Sequence, residues 1–326
     1  MSEIGTQRDG SIGSDARADR PAGRRRSDRI VGASRATQLA IEQALAASRS
    51  DLPLLVTGPS GAGKEQLARA VHAWSSRAAN PFVVVSCAAI NPALLAREIF
   101  GCAANVHAVM NEAHVGALSR AGAGSVLLDS IDELPEGVRR EVATVISRGS
   151  FQPEGNLPPV ALRARVMATA LVKPTRSPFG EVPYDAIELL PLSERREDIL
   201  PLAAHFLRLA AEEFGYKAVG FSSEARNALL TEPWIGNARE LAERIRQAVQ
   251  IARDGAISAE ALLLASDFDE IPSFKEAKRA FETRYVVGLL RRCGGNISRA
   301  ARLAKKDRKD FYDVIRRTGV DPTEFR

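Results

Sequence analysis

The chain has 326 residues, 45% of them apolar and 26% charged, with 45 Lys/Arg against 40 Asp/Glu. That length accommodates two or three domains with a substantial core. No apolar run reaches the roughly 18 residues of a membrane helix, and the polar N-terminus lacks the apolar stretch of a secretory signal. Cys87, Cys102 and Cys293 show neither metal-ligand nor Cys-x-x-Cys spacing, which points to thiols in a reducing cytoplasm. His107 and His114 fall in one loop region, too few ligands for a metal centre.

Residues 1–28 are rich in Gly, Ser, Arg and Asp and read as a disordered tail containing Arg24, Arg25 and Arg26. The folded part begins near Ile30. Helical and β-branched segments then alternate. A helix is predicted over 36–47, a strand over Leu54–Thr57, a helix over 65–77 and a strand over Phe82–Ser86. A strand follows at 126–128, a helix at 138–147 and a strand at 164–168. This alternation implies a parallel sheet covered on both faces. Residues 196–268 read as helices only, over Ile199–Phe214, Ser223–Thr231 and 238–252, and 267–273 read as a linker.

The final segment carries the most uneven charge. Between Arg291 and Arg317 lie ten Lys/Arg and three Asp, a local net charge of +7 against +5 for the whole chain. Such a patch is an electrostatic footprint for nucleic acid. Phe274, Ala277, Phe281, Tyr285, Val286, Leu289 and Leu290 recur at helical spacing, predicting an amphipathic helix over 274–292. Gly294 to Ser298 forms a turn with Ser298 as cap, followed by a helix over 299–303. Asp307 opens a last helix through Arg317, and Gly319 closes it. In this helix-turn-helix rhythm the second helix enters the major groove. Arg308, Lys309, Tyr312 and Arg316 are the predicted DNA contacts, with Arg299 and Arg302 toward phosphate.

Between the first strand and the next helix lies Gly58-Pro59-Ser60-Gly61-Ala62-Gly63-Lys64-Glu65. Glycine-rich loops in this strand–loop–helix context cradle phosphates with backbone N–H groups. Gly61, Ala62 and Gly63 would wrap the phosphates and Lys64 would pair with the outer ones. Glu65 stands where many such loops place a hydroxyl for Mg²⁺. Asp129, ending an apolar strand, is the candidate metal partner.

These segments resemble the AAA+ domain of bacterial sigma-54-dependent transcriptional activators. The match runs through Ile30-Val31-Gly32, Gly58 to Glu65, Cys87-Ala88-Ala89-Ile90, Glu98-Ile99-Phe100-Gly101 and the strand ending in Asp129. It continues through Leu134-Pro135, Leu192 to Ile199, and Trp234 to Leu241, which carries a second-sensor arginine, Arg239. Gly294 to Ala304 is similar to the Fis-type helix-turn-helix of the same family. The resemblance covers about residues 29–326. It implies an α/β fold: a P-loop parallel sheet with helices on both faces at 29–195, an all-α lid at 196–268 and an all-α helix-turn-helix domain at 269–326. It also implies binding of ATP, with Mg²⁺, through Gly58, Ser60, Gly61, Ala62, Gly63, Lys64, Glu65, Asp129 and Arg239. The partners implied are double-stranded DNA and a second copy through the 274–292 helix, with higher oligomers, RNA polymerase or an intact relative beyond that. No membrane partner is expected.

The departures from the pattern bear on mechanism. The family grips sigma-54 through Gly-Ala-Phe-Thr-Gly-Ala, and residues 105–110 here read Asn-Val-His-Ala-Val-Met. Ser130 stands in place of the water-activating glutamate, and Ser86 in place of the asparagine that restrains it. The first sensor's Thr-Asn is replaced near Thr169, Ala170 and Leu171. The arginine-finger segment is shortened to 179–185, without its arginines. A general base contributes about 10²–10⁴-fold and an arginine finger about 10³–10⁵-fold. Their joint loss implies ATP binding with weak or absent hydrolysis, in a regulator acting without the sigma-54 remodelling cycle. Asp132 or Glu133 as a substitute base keeps open the alternative of an active ATPase that remodels RNA polymerase holoenzyme. A third reading is an architectural DNA-binding protein whose AAA+ fold serves oligomerisation. No receiver domain is read ahead of residue 29. Control is therefore expected from expression level, a partner, or a small ligand such as a cyclic dinucleotide.

Overall fold

The computed structural model describes residues 30–106, 112–265, 285–318, 320 and 322–325. They fall into two compact units, one up to Leu262 and one from Leu263 onward. The predicted tail, the 267–273 linker, the start of the 274–292 helix, Gly319 and positions 107–110 lie outside the described residues.

The first unit opens with helix α1 (Arg35–Ser48), whose N-cap Ser34 accepts from the Thr37 N–H. Strand β1 (Leu54–Thr57) leads into helix α2 (Lys64–Trp74), and β2 (Phe82–Ser86) follows. α2 ends three residues before the predicted 77, where Ser75 turns extended and its hydroxyl takes the His72 carbonyl. Short helices α3 (Leu95–Phe100) and α4 (Ala117–Ala121) precede β3 (Ser125–Asp129) and α5 (Glu136–Arg148). A two-stranded antiparallel hairpin, β4 (Ser150–Phe151) with β5 (Val160–Ala161), comes before β6 (Arg165–Ala170) and β7 (Asp185–Glu188).

The main sheet has five strands in the order β2-β3-β6-β1-β7, all parallel. Alternation of side chains across each strand splits the core into two layers. Leu55, Val85 and Leu128 pack to one side with Ile99, Phe100 and Phe179. Leu54, Val56, Leu127 and Met167 pack to the other with Leu67 and Val71 of α2. Burial on both faces explains the nearly continuous apolar runs. The edge strand β7 begins at Asp185, the last residue of the segment predicted to hold the shortened finger region. Its alternating Asp-Ala-Ile-Glu sequence buries only Ile187, too weak a signal to register as a strand.

Helices α6 (Ile199–Phe214), α7 (Ser223–Thr231), α8 (Asn237–Ala252) and α9 (Ala259–Leu264) form the lid. The expectation of helices alone is corrected here. β8 (Ala218–Phe221) and β9 (Gly255–Ile257) pair as a small parallel sheet. Each has three or four residues, below the length at which alternation separates strand from loop.

In the second unit, the described helix 285–293 (α10), α11 (Ile297–Leu303) and α12 (Arg308–Thr318) share a core of Val286, Leu290, Ala300, Phe311 and Ile315. The cap of α11 is Asn296, not Ser298: its side chain accepts the Arg299 N–H at 3.1 Å. The α11–α12 turn passes through Lys305 at φ 51, and Asp307 caps α12 by accepting the Lys309 N–H at 2.7 Å.

Candidate nucleotide site

The sheet register assembles the site. Ser86 pairs with Asp129 and Thr57 with Ala170, so the carboxyl ends of β1, β3 and β6 finish at one level. The loop after β1, Asp129 and Thr169 therefore meet along one edge, where open parallel sheets bind ligands.

The loop bends through Gly58 at φ 145, Gly61 at φ 73 and Gly63 at φ 103. Space is open where a Cβ would stand on Gly63, which caps the N-terminus of α2. First-turn N–H groups, which have no carbonyl partner within the helix, and the helix dipole there suit an anion. Lys64 is only 9% exposed, and its Nζ donates to the carbonyls of Gly58 at 2.7 Å and Pro59 at 3.0 Å. Burial pushes its ammonium below the usual lysine range, Asp129 and Asp132 oppose that shift, and Arg239 adds to it. A buried cation held by two neutral carbonyls can turn to phosphate without breaking an ion pair. Glu65 is engaged elsewhere, with Arg69 at 2.8 Å. One strand-end carboxylate beside phosphate oxygens is the donor set that suits Mg²⁺, which is held by one or two carboxylates plus substrate phosphates. Asp129 fits that role, and Mg²⁺ bound there would neutralise phosphate charge.

The lid closes the loop from the other side. Arg239 places Nη1 3.5 Å from Ser60 Oγ, and its N–H donates to the Gly61 carbonyl at 3.3 Å. Gly58, Ser60, Gly61, Ala62, Gly63, Lys64, Asp129 and Arg239 thus converge, while Glu65 points its charge into a surface pair on α2.

Residues not singled out for the site also hold it together. Asn237, at φ 58, donates from Nδ2 to the Ser60 carbonyl at 2.9 Å and accepts the Leu192 N–H at 2.7 Å. Arg195 donates to the Ala62 carbonyl at 2.7 Å. Asp198, fully buried, accepts from the N–H groups of Ala33 and Ser34 and from the hydroxyls of Ser34 and Thr37. Their segments are conspicuous in the sequence, but each also bonds to a partner more than a hundred residues away.

Beside Asp129, Ser130 takes the left-handed conformation at φ 60 and starts a short 3₁₀ turn, Ile131–Glu133, with Asp132 and Glu133 exposed. Cys87 lies under the same strand end and its N–H donates to the Asp129 carbonyl at 2.9 Å. Burial, with Asp129 adding, pushes its thiol up to about 12. In the second unit, Arg299 and Arg302 on α11 and Arg308, Lys309, Tyr312 and Arg316 on α12 are all exposed.

Residues 30–177 match the model of the Sigma-54 interaction domain, and 193–276 that of an AAA+ ATPase lid domain. The chain is 33% identical over 298 residues to the transcriptional regulatory protein GlrR of Escherichia coli, covering 88% of this chain and 67% of that protein. It is 30% identical over 292 residues to the nitrogen assimilation regulatory protein NtrX of Azorhizobium caulinodans, covering 82% and 64%. The chain thus spans about two thirds of the length of these curated relatives. Crystal structures of Brucella abortus NtrX in complex with ADP and with ATP superpose with TM-scores of 0.65 and 0.64 at 27% and 28% identity, each over 90% of this chain and 70% or 71% of the NtrX chain. Among the described residues no helix is long and apolar enough to cross a membrane. The chain belongs to the family of sigma-54-dependent transcriptional regulators.

Proposed function

We propose that this protein is a cytoplasmic, DNA-binding transcriptional regulator whose AAA+ domain binds ATP but hydrolyses it weakly or not at all. The carrying observation is the pairing of a complete phosphate cradle with Ser130 at the catalytic glutamate's place. Lys64 and Arg239 converge on the loop and Asp129 stands at the strand end, yet a hydroxyl on a left-handed residue occupies the place of the water-activating glutamate. That Brucella NtrX crystallises in complex with ADP and with ATP supports nucleotide binding. Bound ATP would stabilise the fold by mass action without turnover.

The 269–326 region acts as a Fis-type helix-turn-helix on double-stranded DNA. Its exposed Arg299, Arg302, Arg308, Lys309, Tyr312 and Arg316 support this, as does the local charge of +7. Dimerisation through the 274–292 helix would give a two-fold symmetric site. The regulator works without the sigma-54 remodelling cycle, through DNA occupancy, polymerase contact or an intact relative. The second reading, an active ATPase remodelling polymerase, draws on Asp132, exposed two residues past Ser130 and near enough to act on Lys64.

Steady-state ATP turnover and calorimetric ATP binding should be measured on wild type and Lys64→Ala, with and without duplex DNA. Binding without turnover is expected, with affinity falling roughly tenfold to a hundredfold in Lys64→Ala on loss of a charged hydrogen bond. Robust turnover abolished by Lys64→Ala would instead establish the remodelling ATPase.

A further inference from the structure

We propose that Asp313 reads a cytosine in the major groove, making a C·G base pair a required element of the DNA site. The inference rests on the DNA-binding reading above and adds the chemistry of what is read.

Helix α12 buries Phe311 and Ile315 in the core of the second unit. At 100° per residue, Asp313 lies at the centre of the side opposite those two, with Lys309 and Arg316 along one flank and Asp310 along the other. All four are exposed, and Tyr312 beside Arg316 is 55% exposed. Asp313 therefore sits at the centre of the face that a groove-entering helix presents to DNA. Lys309 is four residues before it and Arg316 three after, both immediate neighbours on a helix surface. Asp313 makes no ion pair among the described residues, so its carboxylate is not consumed within the unit. This distinguishes it from Asp307, whose Oδ1 is taken by the Lys309 N–H.

A carboxylate in that place is repelled by phosphate and is favoured only where a base offers a donor. Its selectivity follows from the groove edges. Guanine presents two acceptors, N7 and O6. Thymine presents the O4 acceptor beside a methyl group. Adenine presents the N6 amine, but with the N7 acceptor next to it, which repels an acceptor-only group. Cytosine alone offers an amine, N4, with no acceptor on its own major-groove edge. The guanine across the pair presents N7 and O6, which accept from a cation. A carboxylate flanked by Lys309 and Arg316 thus carries the complement of a C·G pair on one helix face.

The test is selection from a random duplex library by the full chain, comparing wild type, Asp313→Ala and Asp313→Asn, with affinities then measured on the selected duplex and its single-position variants. Wild type is expected to enrich a motif with an invariant C·G pair in each half-site. Asp313→Ala should lose about tenfold discrimination at that pair alone. Asp313→Asn should move the preference there to A·T, because an amide both donates to N7 and accepts from N6. Asp313 is exposed, so thermal unfolding should be unchanged in both variants. The same motif with the same weights in Asp313→Ala overturns the assignment. So does a uniform gain in affinity for every duplex, which would make Asp313 only a repeller of phosphate. Failure of wild type to enrich any duplex would remove the DNA-binding reading itself and this assignment with it.

Discussion

The Thr169 hydroxyl donates to Asp129 Oδ1 at 2.6 Å while accepting the Ser130 N–H at 2.9 Å. One fully buried side chain thereby fixes both the strand-end carboxylate and the left-handed residue after it. The parallel register of β3 and β6, with Leu128 beside Ala168, makes this contact available.

Thr169→Val keeps the shape and deletes the hydroxyl, leaving the Ser130 N–H unpaired and Asp129 free to turn. Stability should fall by about 1–3 kcal/mol. Mg²⁺-dependent ATP binding should weaken more than binding in EDTA, and Thr169→Ser should restore both. Urea unfolding and calorimetry check this. Equal weakening with and without Mg²⁺ would mean that Thr169 supports the fold alone.

Asp198→Ala should be among the most damaging single changes. The carboxylate satisfies four donors from residues 33–37 and lies 3.8 Å from the buried Arg195, whose guanidinium holds the Ala62 carbonyl. Removing one partner of a buried charged network leaves the other uncompensated, at about 3–5 kcal/mol. Loss of that size should appear as a lowered unfolding midpoint with an unchanged denaturant slope. A change within about 0.5 kcal/mol, the range of ordinary surface substitutions, would contradict the picture.

Gly61→Ala tests the seam between loop and lid. Gly61 has φ 73, and an added Cβ would press into the Gly236 carbonyl. The left-handed backbone alone costs about 1–2 kcal/mol for a residue with a Cβ, and the lid turn must also retreat from Ser60. Both thermal stability and ATP affinity should drop, and restoring neither by added nucleotide would fit a displaced lid.

Cys87 gives a pH signature. Its thiol rises from 9.0 to about 12 in the folded protein, chiefly through burial. Between those values the folded state keeps the proton that the unfolded state releases, so stability falls as pH rises from about 9 to 12. Cys87→Ala should flatten that part of the curve, measured as unfolding free energy against pH. Alkylation of Cys87 in the native protein at pH 8 should be far slower than in denaturant.

Where a local pattern carries the information, sequence and structure coincide. Ile199–Phe214 and Ser223–Thr231 are helices with the predicted bounds, because amphipathic spacing and a serine N-cap at Ser222 are written within one short segment. The glycines of the 58–63 loop announce their positive φ angles in the same way. The short strands β7, β8 and β9 stayed hidden, since three or four residues hold too little alternation and their pairing comes from chain elsewhere. The cap at Asn296 was hidden too, because Asn296 and Ser298 are both competent and only the start of α11 decides between them. The site divides along the same line. Lys64 and Asp129 stand in recognisable local motifs. Thr169, Asn237, Arg195 and Asp198 act through hydrogen bonds spanning about 40 to 177 residues of chain, and such partners exist only once the sheet register and the lid have brought their elements together.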